Sequence, residues 1–167
     1  MNHLTLRGTH WEVGFQWGAR LAERGLRLLD HVPFSLTAER RAFAAACRPA
    51  YARHFPAALE ELAGLAAGQN CRQEDLETVL FTTYALPPPC GCSCLAVSNG
   101  NGVFFGRNSD FLTALELYNT HVIYRFSDGA IPFTGNTTSF VQMEHAVNAR
   151  GLAVALTTLY TPRPRPR

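Results

Sequence analysis

The run Cys90-Gly91-Cys92-Ser93-Cys94-Leu95-Ala96-Val97-Ser98, then Asn99-Gly100-Asn101-Gly102, then Val103-Phe104-Phe105-Gly106-Arg107-Asn108-Ser109-Asp110, decides how this chain is read. Two apolar runs joined by Asn-Gly-Asn-Gly spell a β-hairpin, because glycine and asparagine accept the positive φ angles of a tight turn. Antiparallel pairing sets the start of one strand beside the end of the next, so Cys92 is predicted to neighbour Arg107 and Asp110. A thiol, a guanidinium and a carboxylate then converge.

Upstream of this hairpin, Leu86-Pro87-Pro88-Pro89 reads as a stiff, extended strap, since proline donates no backbone hydrogen bond and favours the polyproline form. Before the strap the pattern is helical. Thr9 with Glu12 makes a capping box, and Trp11, Phe15, Gly18, Leu21 and Ala22 form an apolar stripe in a helix predicted from Thr9 to Asp30. Gly14 and Gly18, one turn apart, let another element approach closely. Thr37 to Cys47 and Pro49 to Ala67 read as two further helices, with a kink or a new start at Pro56 and a stop at Gly68-Gln69-Asn70. Glu74 to Tyr84 makes a fourth. The histidines of this half are scattered without metal-ligand spacing.

Downstream of the hairpin the periodicity is that of strands: His121 to Phe126, Ile131 to Phe133, Val141 to Val147, and Gly151 to Leu159 after the Asn148-Ala149-Arg150-Gly151 turn. Helices first and an antiparallel sheet second make an α+β chain. The tail 161–167 alternates proline with arginine and is predicted to be disordered.

A length of 167 residues, with 47% hydrophobic and 17% charged residues, suffices for a core of ordinary size. A formal net charge of +2 argues for neither a nucleic-acid partner nor an acidic membrane surface. There is no leader pattern and no apolar run of about 20 residues, so a cytoplasmic chain with no membrane partner is expected. Five cysteines, an odd number, suit a reduced compartment better than a disulfide framework.

Gly91-Cys92-Ser93-Cys94-Leu95-Ala96-Val97, Gly106-Arg107-Asn108-Ser109-Asp110-Phe111 and Val147-Asn148-Ala149-Arg150-Gly151-Leu152-Ala153-Val154 together resemble the cysteine N-terminal nucleophile hydrolases. The opening Gly8-Thr9-His10-Trp11-Glu12-Val13-Gly14-Phe15-Gln16-Trp17-Gly18 is similar to that of the branch containing the penicillin-forming acyltransferase, with the choloylglycine hydrolases as more distant relatives. The resemblance implies a helical prosegment over 1–91 and an antiparallel β part of the catalytic domain over 92–160. The fold it implies is part of a four-layer αββα sandwich. It also implies a precursor that cuts itself between Gly91 and Cys92, freeing Cys92 as an amino-terminal nucleophile that forms a thioester with small linear amides or acyl donors. It matches Arg107 and Asp110 to the family's Arg-x-x-Asp and Asn148 to its oxyanion-hole asparagine. No metal or organic cofactor is implied. The matches cover the first part of a family member, so a truncated form is expected, with an unpaired last-strand edge open to self-association.

Each residue also has a reading of its own. A free α-amine titrates at about 8 and a thiol at about 8.5, so an amine on the same residue can act as base for the thiol without a histidine. Gly91 lets the backbone take the conformation that attack on its carbonyl needs. A guanidinium beside a thiol favours the thiolate, whereas an Arg107–Asp110 ion pair at a strand end is the plainer role. Asn148 can donate to an oxyanion or simply close an Asn-x-x-Gly turn. Cys90, Cys92 and Cys94 alternate as a metal or redox cluster does, but no fourth ligand is near in sequence, and Cys94 is most simply packing. Phe111, Leu112, Leu115, Leu117, Tyr118 and Phe140 suit either an apolar acyl pocket or a core. The reading favoured is an autoprocessed cysteine amidohydrolase or acyltransferase, and the alternative is a non-catalytic truncated fragment or interaction module of the same fold.

Overall fold

The computed structural model describes residues 2–83, 91–110 and 112–157. The Leu86–Pro89 strap, Cys90, Phe111 and the 161–167 tail lie outside the described residues. The chain opens with a strand that the helix-and-strap reading passed over. Strand β1, Asn2–Gly8, alternates Leu4 and Leu6 with polar residues and runs parallel to β4, Thr120–Phe126, in the register Asn2↔Thr120 to Gly8↔Phe126. Its partner is distant in sequence, so no local turn announces it, and the sheet is mixed rather than purely antiparallel.

Helix α1, His10–Glu23, starts on the expected capping box: Thr9 Oγ1 accepts from the Glu12 amide at 3.2 Å, and Glu12 Oε2 accepts from the Thr9 amide at 2.7 Å. It ends seven residues earlier than expected, at a turn whose Gly25 has φ 74°. The backbone then makes a separate 3-10 turn, Leu28–His31, pinned by the buried Gln69 side chain, which accepts from the Leu28 amide and donates to the Gly18 carbonyl. Helix α2, Ala38–His54, runs through Pro49, which was expected to open a new helix. The loss of one intrahelical bond is offset by packing on both sides of the proline, where Arg48 pairs with Glu77 and Tyr51 stacks on Phe81. The break falls instead at Pro56, the first residue of α3, Pro56–Gln69, which stops at Asn70 in the left-handed conformation, φ 52°. Helix α4 is Gln73–Thr82.

Gly14 and Gly18 do admit a close neighbour, and it brings glycines of its own. A Cβ at Gly14 would collide with the Glu61 carbonyl, and one at Gly64 with the Trp11 carbonyl, so α1 and α3 touch backbone to backbone. Gly18 and Gly68 repeat the arrangement one turn on.

The five-stranded sheet has the order β1-β4-β5-β6-β7, with β5 Phe133–Ser139, β6 Gln142–Asn148 and β7 Ala153–Ala155. Helices cover one face, where Leu6, Val122 and Tyr124 pack with Val13, Trp17, Leu21 and Leu65. Leu115, Tyr118 and Phe140 belong to this core, so the acyl-pocket expectation for them is corrected: each is 1% exposed and packed among core side chains. The fold class is therefore α+β. Strand β7, shorter among the described residues than expected, ends the sheet opposite β1. The hairpin forms a sheet by itself from β2, Gly91–Asn99, and β3, Gly102–Asp110. No helix among the described residues is long and apolar enough to cross a membrane.

Candidate active site

The hairpin closes on the expected turn. Asn99 pairs with Gly102, whose φ of 134° needs glycine, and the Asn99 side chain accepts from the Asn101 amide at 2.9 Å. This register sets Cys92 opposite Ser109, Cys94 opposite Arg107 and Gly91 opposite Asp110. Directly paired residues share a face and successive residues alternate, so Cys92, Cys94, Phe105 and Arg107 project to one side. Asp110 projects to the other.

On the first side Arg107 reaches diagonally to Cys92, its Nη2 donating to Sγ at 3.0 Å. The same guanidinium donates through Nη1 to Glu144 Oε2 at 2.9 Å and through Nε to the Leu156 carbonyl at 2.8 Å. Both charged side chains are withdrawn from water, at 2% exposure for Arg107 and 1% for Glu144. Glu144 stands on β6, so this pair crosses from the hairpin to the five-stranded sheet. Burial pushes its carboxyl up from 4.5 to about 7.

Asp110 lies over Gly91 rather than beside the thiol. A Cβ built on Gly91 would come 3.3 Å from Asp110 Oδ2, and Asp110 Oδ1 accepts from the Asn108 amide group at 2.7 Å. The hairpin backbone, and with it the Gly91–Cys92 peptide, runs between this carboxylate and Arg107. The three expected groups do gather at one end of the hairpin, on opposite faces of it. The Arg107–Asp110 ion pair is not what forms among the described residues; the acid that Arg107 pairs with is Glu144.

Asn148 is not brought to Cys92. It ends β6 four residues beyond Glu144, roughly 13 Å along the strand, and its Oδ1 accepts from the amides of Arg150 and Leu152. Its visible work is closing the β6–β7 turn, where Gly151 has φ 83°. Of the cysteine triplet, Cys92 is half-buried and Cys94 is exposed. Among the described residues no group of three or more His, Cys, Asp or Glu is placed to hold a metal ion.

A cavity of about 390 Å³ opens between β3 and the face of the sheet away from the helices, lined by Val103, Phe105, His121, Thr134, Asn136 and His145 among others. His121 bridges Asn136 and Thr134 through its two ring nitrogens, each at 2.9 Å. Burial, then the charges of Arg107 and His121, push the His145 imidazole down, and its Nδ1 is buried with no hydrogen-bond partner among the described residues. Sequence reasoning missed Glu144 and this pair of histidines. The available signal was a charged residue inside the apolar strand Val141 to Val147, where an acid is tolerated only if paired. No protein-family model matches the chain, and no curated protein matches it.

Proposed function

We propose that the chain is a cysteine amidohydrolase or acyltransferase that matures by cutting its own Gly91–Cys92 bond and then acts on linear amides through a thioester at Cys92. The observation that carries this reading is the 3.0 Å contact between Arg107 Nη2 and Cys92 Sγ, made by a guanidinium withdrawn from water. A fixed cationic donor at a sulfur stabilises the negative charge that sulfur carries as a nucleophile. The likeness of the hairpin to N-terminal nucleophile hydrolases, with their αββα sandwich, supports the same reading.

In maturation, Cys92 Sγ attacks the Gly91 carbonyl carbon, the C–N bond breaks, and the acyl group moves from nitrogen to sulfur while the amine takes up a proton. Water then hydrolyses the thioester, leaving a Gly91 carboxylate and a free Cys92 amine and thiol. In this reading the Asp110 carboxylate, over Gly91, orients that new amine. In turnover the amine accepts the thiol proton, sulfur attacks the substrate carbonyl, and the tetrahedral oxyanion collapses with expulsion of the substrate amine, which takes the proton back. Water or a second amine resolves the thioester, giving hydrolysis or acyl transfer. The cavity beside Phe105 is mostly apolar and suits an uncharged acyl group.

A second reading, a non-catalytic interaction module, is favoured by apolar side chains the hairpin leaves in water, with Leu95 66% and Phe104 55% exposed. Intact-mass spectrometry of the purified chain separates the two. A species beginning at Cys92, absent from Cys92→Ala and present in Cys94→Ala, is the expected result; a chain that keeps its full mass under native incubation, or a Cys92→Ala variant that is still cut, rejects the enzyme reading.

A further inference from the structure

The Arg107 guanidinium is planar and rigid, so fixing two of its nitrogens fixes the third. Nε is held by the Leu156 carbonyl and Nη1 by Glu144; what remains, Nη2, is aimed at Cys92 Sγ. Glu144 is 1% exposed, and a carboxylate so placed is tolerated because a cation meets it at 2.9 Å. We propose that Glu144 is a positioning residue for the nucleophile: it holds the Arg107 guanidinium against Cys92 and, by its own charge, sets how strongly that cation acts on the sulfur. This rests on the reading of Cys92 as the nucleophile.

Two contributions of opposite sign follow from the geometry. The carboxylate keeps the cation in place, which favours negative charge on sulfur. It also places a counter-charge on the far side of the same guanidinium, which weakens the cation's effect. Burial holds the Glu144 carboxyl at about 7, so the counter-charge is present above neutrality and withdrawn below it. The other titratable groups around the array are Cys92 and Cys94 on the hairpin, His145 beside Glu144 on β6, and His121 on β4. His145 is pushed towards its neutral form by burial first and then by Arg107 and His121, which leaves the guanidinium as the cation facing the thiol.

A purely structural clip between hairpin and sheet makes a different forecast from a positioning residue, because only the latter moves Cys92 in opposite directions when the charge or the whole side chain is removed. The test is the rate of Cys92 alkylation by iodoacetamide from pH 5 to 9 in the 167-residue chain, read by peptide mass spectrometry, with exposed Cys94 as the reference in the same molecule. Glu144→Gln keeps an acceptor for Nη1 and removes the charge, so Cys92 is expected to react about two- to threefold faster than wild type at pH 8, where the wild-type carboxyl is charged, with the two rates converging by pH 5 to 6, where it is protonated. Glu144→Ala and Arg107→Met lose the held cation, so the Cys92 profile moves towards alkaline pH. Cys94 stays unchanged in all three. If Glu144→Ala does not fold, the Gln variant decides alone. A Gln profile matching wild type, or equal changes at Cys92 and Cys94, overturns the proposal. Alkylation needs neither self-cleavage nor an amide substrate. A chain that never cuts itself yet shows the shifts retains the positioning role and loses the enzyme reading; one that matures normally with unshifted profiles does the reverse.

Discussion

The helical layer with its sheet and the β2–β3 hairpin are built on different physics. In the first, Trp17, Val13, Leu6 and Val122 are each at most 2% exposed, and two helices meet through four glycines with backbone in contact. In the second, Val103 is 79% exposed and Leu95 66%, and the strands pair only with each other among the described residues. A two-stranded sheet by itself is marginal in water. Among the described residues, a withdrawn guanidinium with its carboxylate and carbonyl acceptors ties the hairpin to the five-stranded sheet. Dispersion and burial hold the scaffold, whereas a buried charged clip helps to hold the candidate chemistry. The polar group that anchors the hairpin is the group that touches the sulfur.

The largest expected effect comes from breaking the scaffold. Trp17→Ala removes a side chain 2% exposed at the centre of the core, and a loss of about 3 to 5 kcal/mol in urea unfolding is expected. Phe104→Ser, an equally drastic change in composition on the open face of the hairpin, is expected to cost under about 0.5 kcal/mol. If the two variants melt alike, the contrast between the regions is wrong.

A smaller effect sharpens the comparison through pH. Glu61 lies at the scaffold's helix–sheet junction, where its Oε1 accepts from the Tyr124 hydroxyl at 2.9 Å. Burial raises it from 4.5 to about 7, and the Tyr124 hydrogen bond opposes that rise. A carboxyl with a folded value above its unfolded one binds protons more tightly when folded. Its contribution is complete below about pH 4.5 and is lost as pH rises through about 7, at a limit of about 1.4 kcal/mol per pH unit. The chain is therefore expected to be about 2 kcal/mol more stable at pH 5 than at pH 8 on account of Glu61. Glu61→Gln should flatten that difference. Urea titrations at both pH values check it, and an unchanged slope in Glu61→Gln would assign the titration elsewhere, with Glu144 the next acid to test.

Much of this was legible in the sequence because the signals were local. The Thr9–Glu12 box, the Asn-Gly-Asn-Gly turn, the Pro56 helix start and the Cys92–Arg107 neighbourhood all follow from residues close in the chain or joined by one turn. What escaped depended on partners far away. Strand β1 is short and finds its register only against β4, and Pro49 is carried inside α2 by contacts to α4. Leu115, Tyr118 and Phe140 are apolar in a way that fits pocket and core equally, and only the packing decides between them. Glu144 was missed for the same reason: an acid inside an apolar strand signals that it needs a partner but not which one, and the cation stands 37 residues away.

The smallest expected effect is the sharpest discriminator between neighbouring atoms. Cys94 stands two residues from Cys92, on the same face of β2, and its backbone is directly opposite that of Arg107. Proximity in sequence and in pairing would nominate it for the chemistry as readily as Cys92. The side chain of Arg107, however, leans along the strand to donate to Cys92 Sγ, and Cys94 remains exposed. An exposed thiol without a fixed cationic donor is an ordinary surface group, so Cys94→Ala is expected to change unfolding free energy by less than about 0.5 kcal/mol. Cys92→Ala removes one acceptor from a withdrawn guanidinium and should cost more, about 1 to 2 kcal/mol. Paired urea titrations of the two variants measure this difference directly. Equal costs would mean that Arg107 does not distinguish the two sulfurs, and the geometric case for Cys92 would go with that distinction.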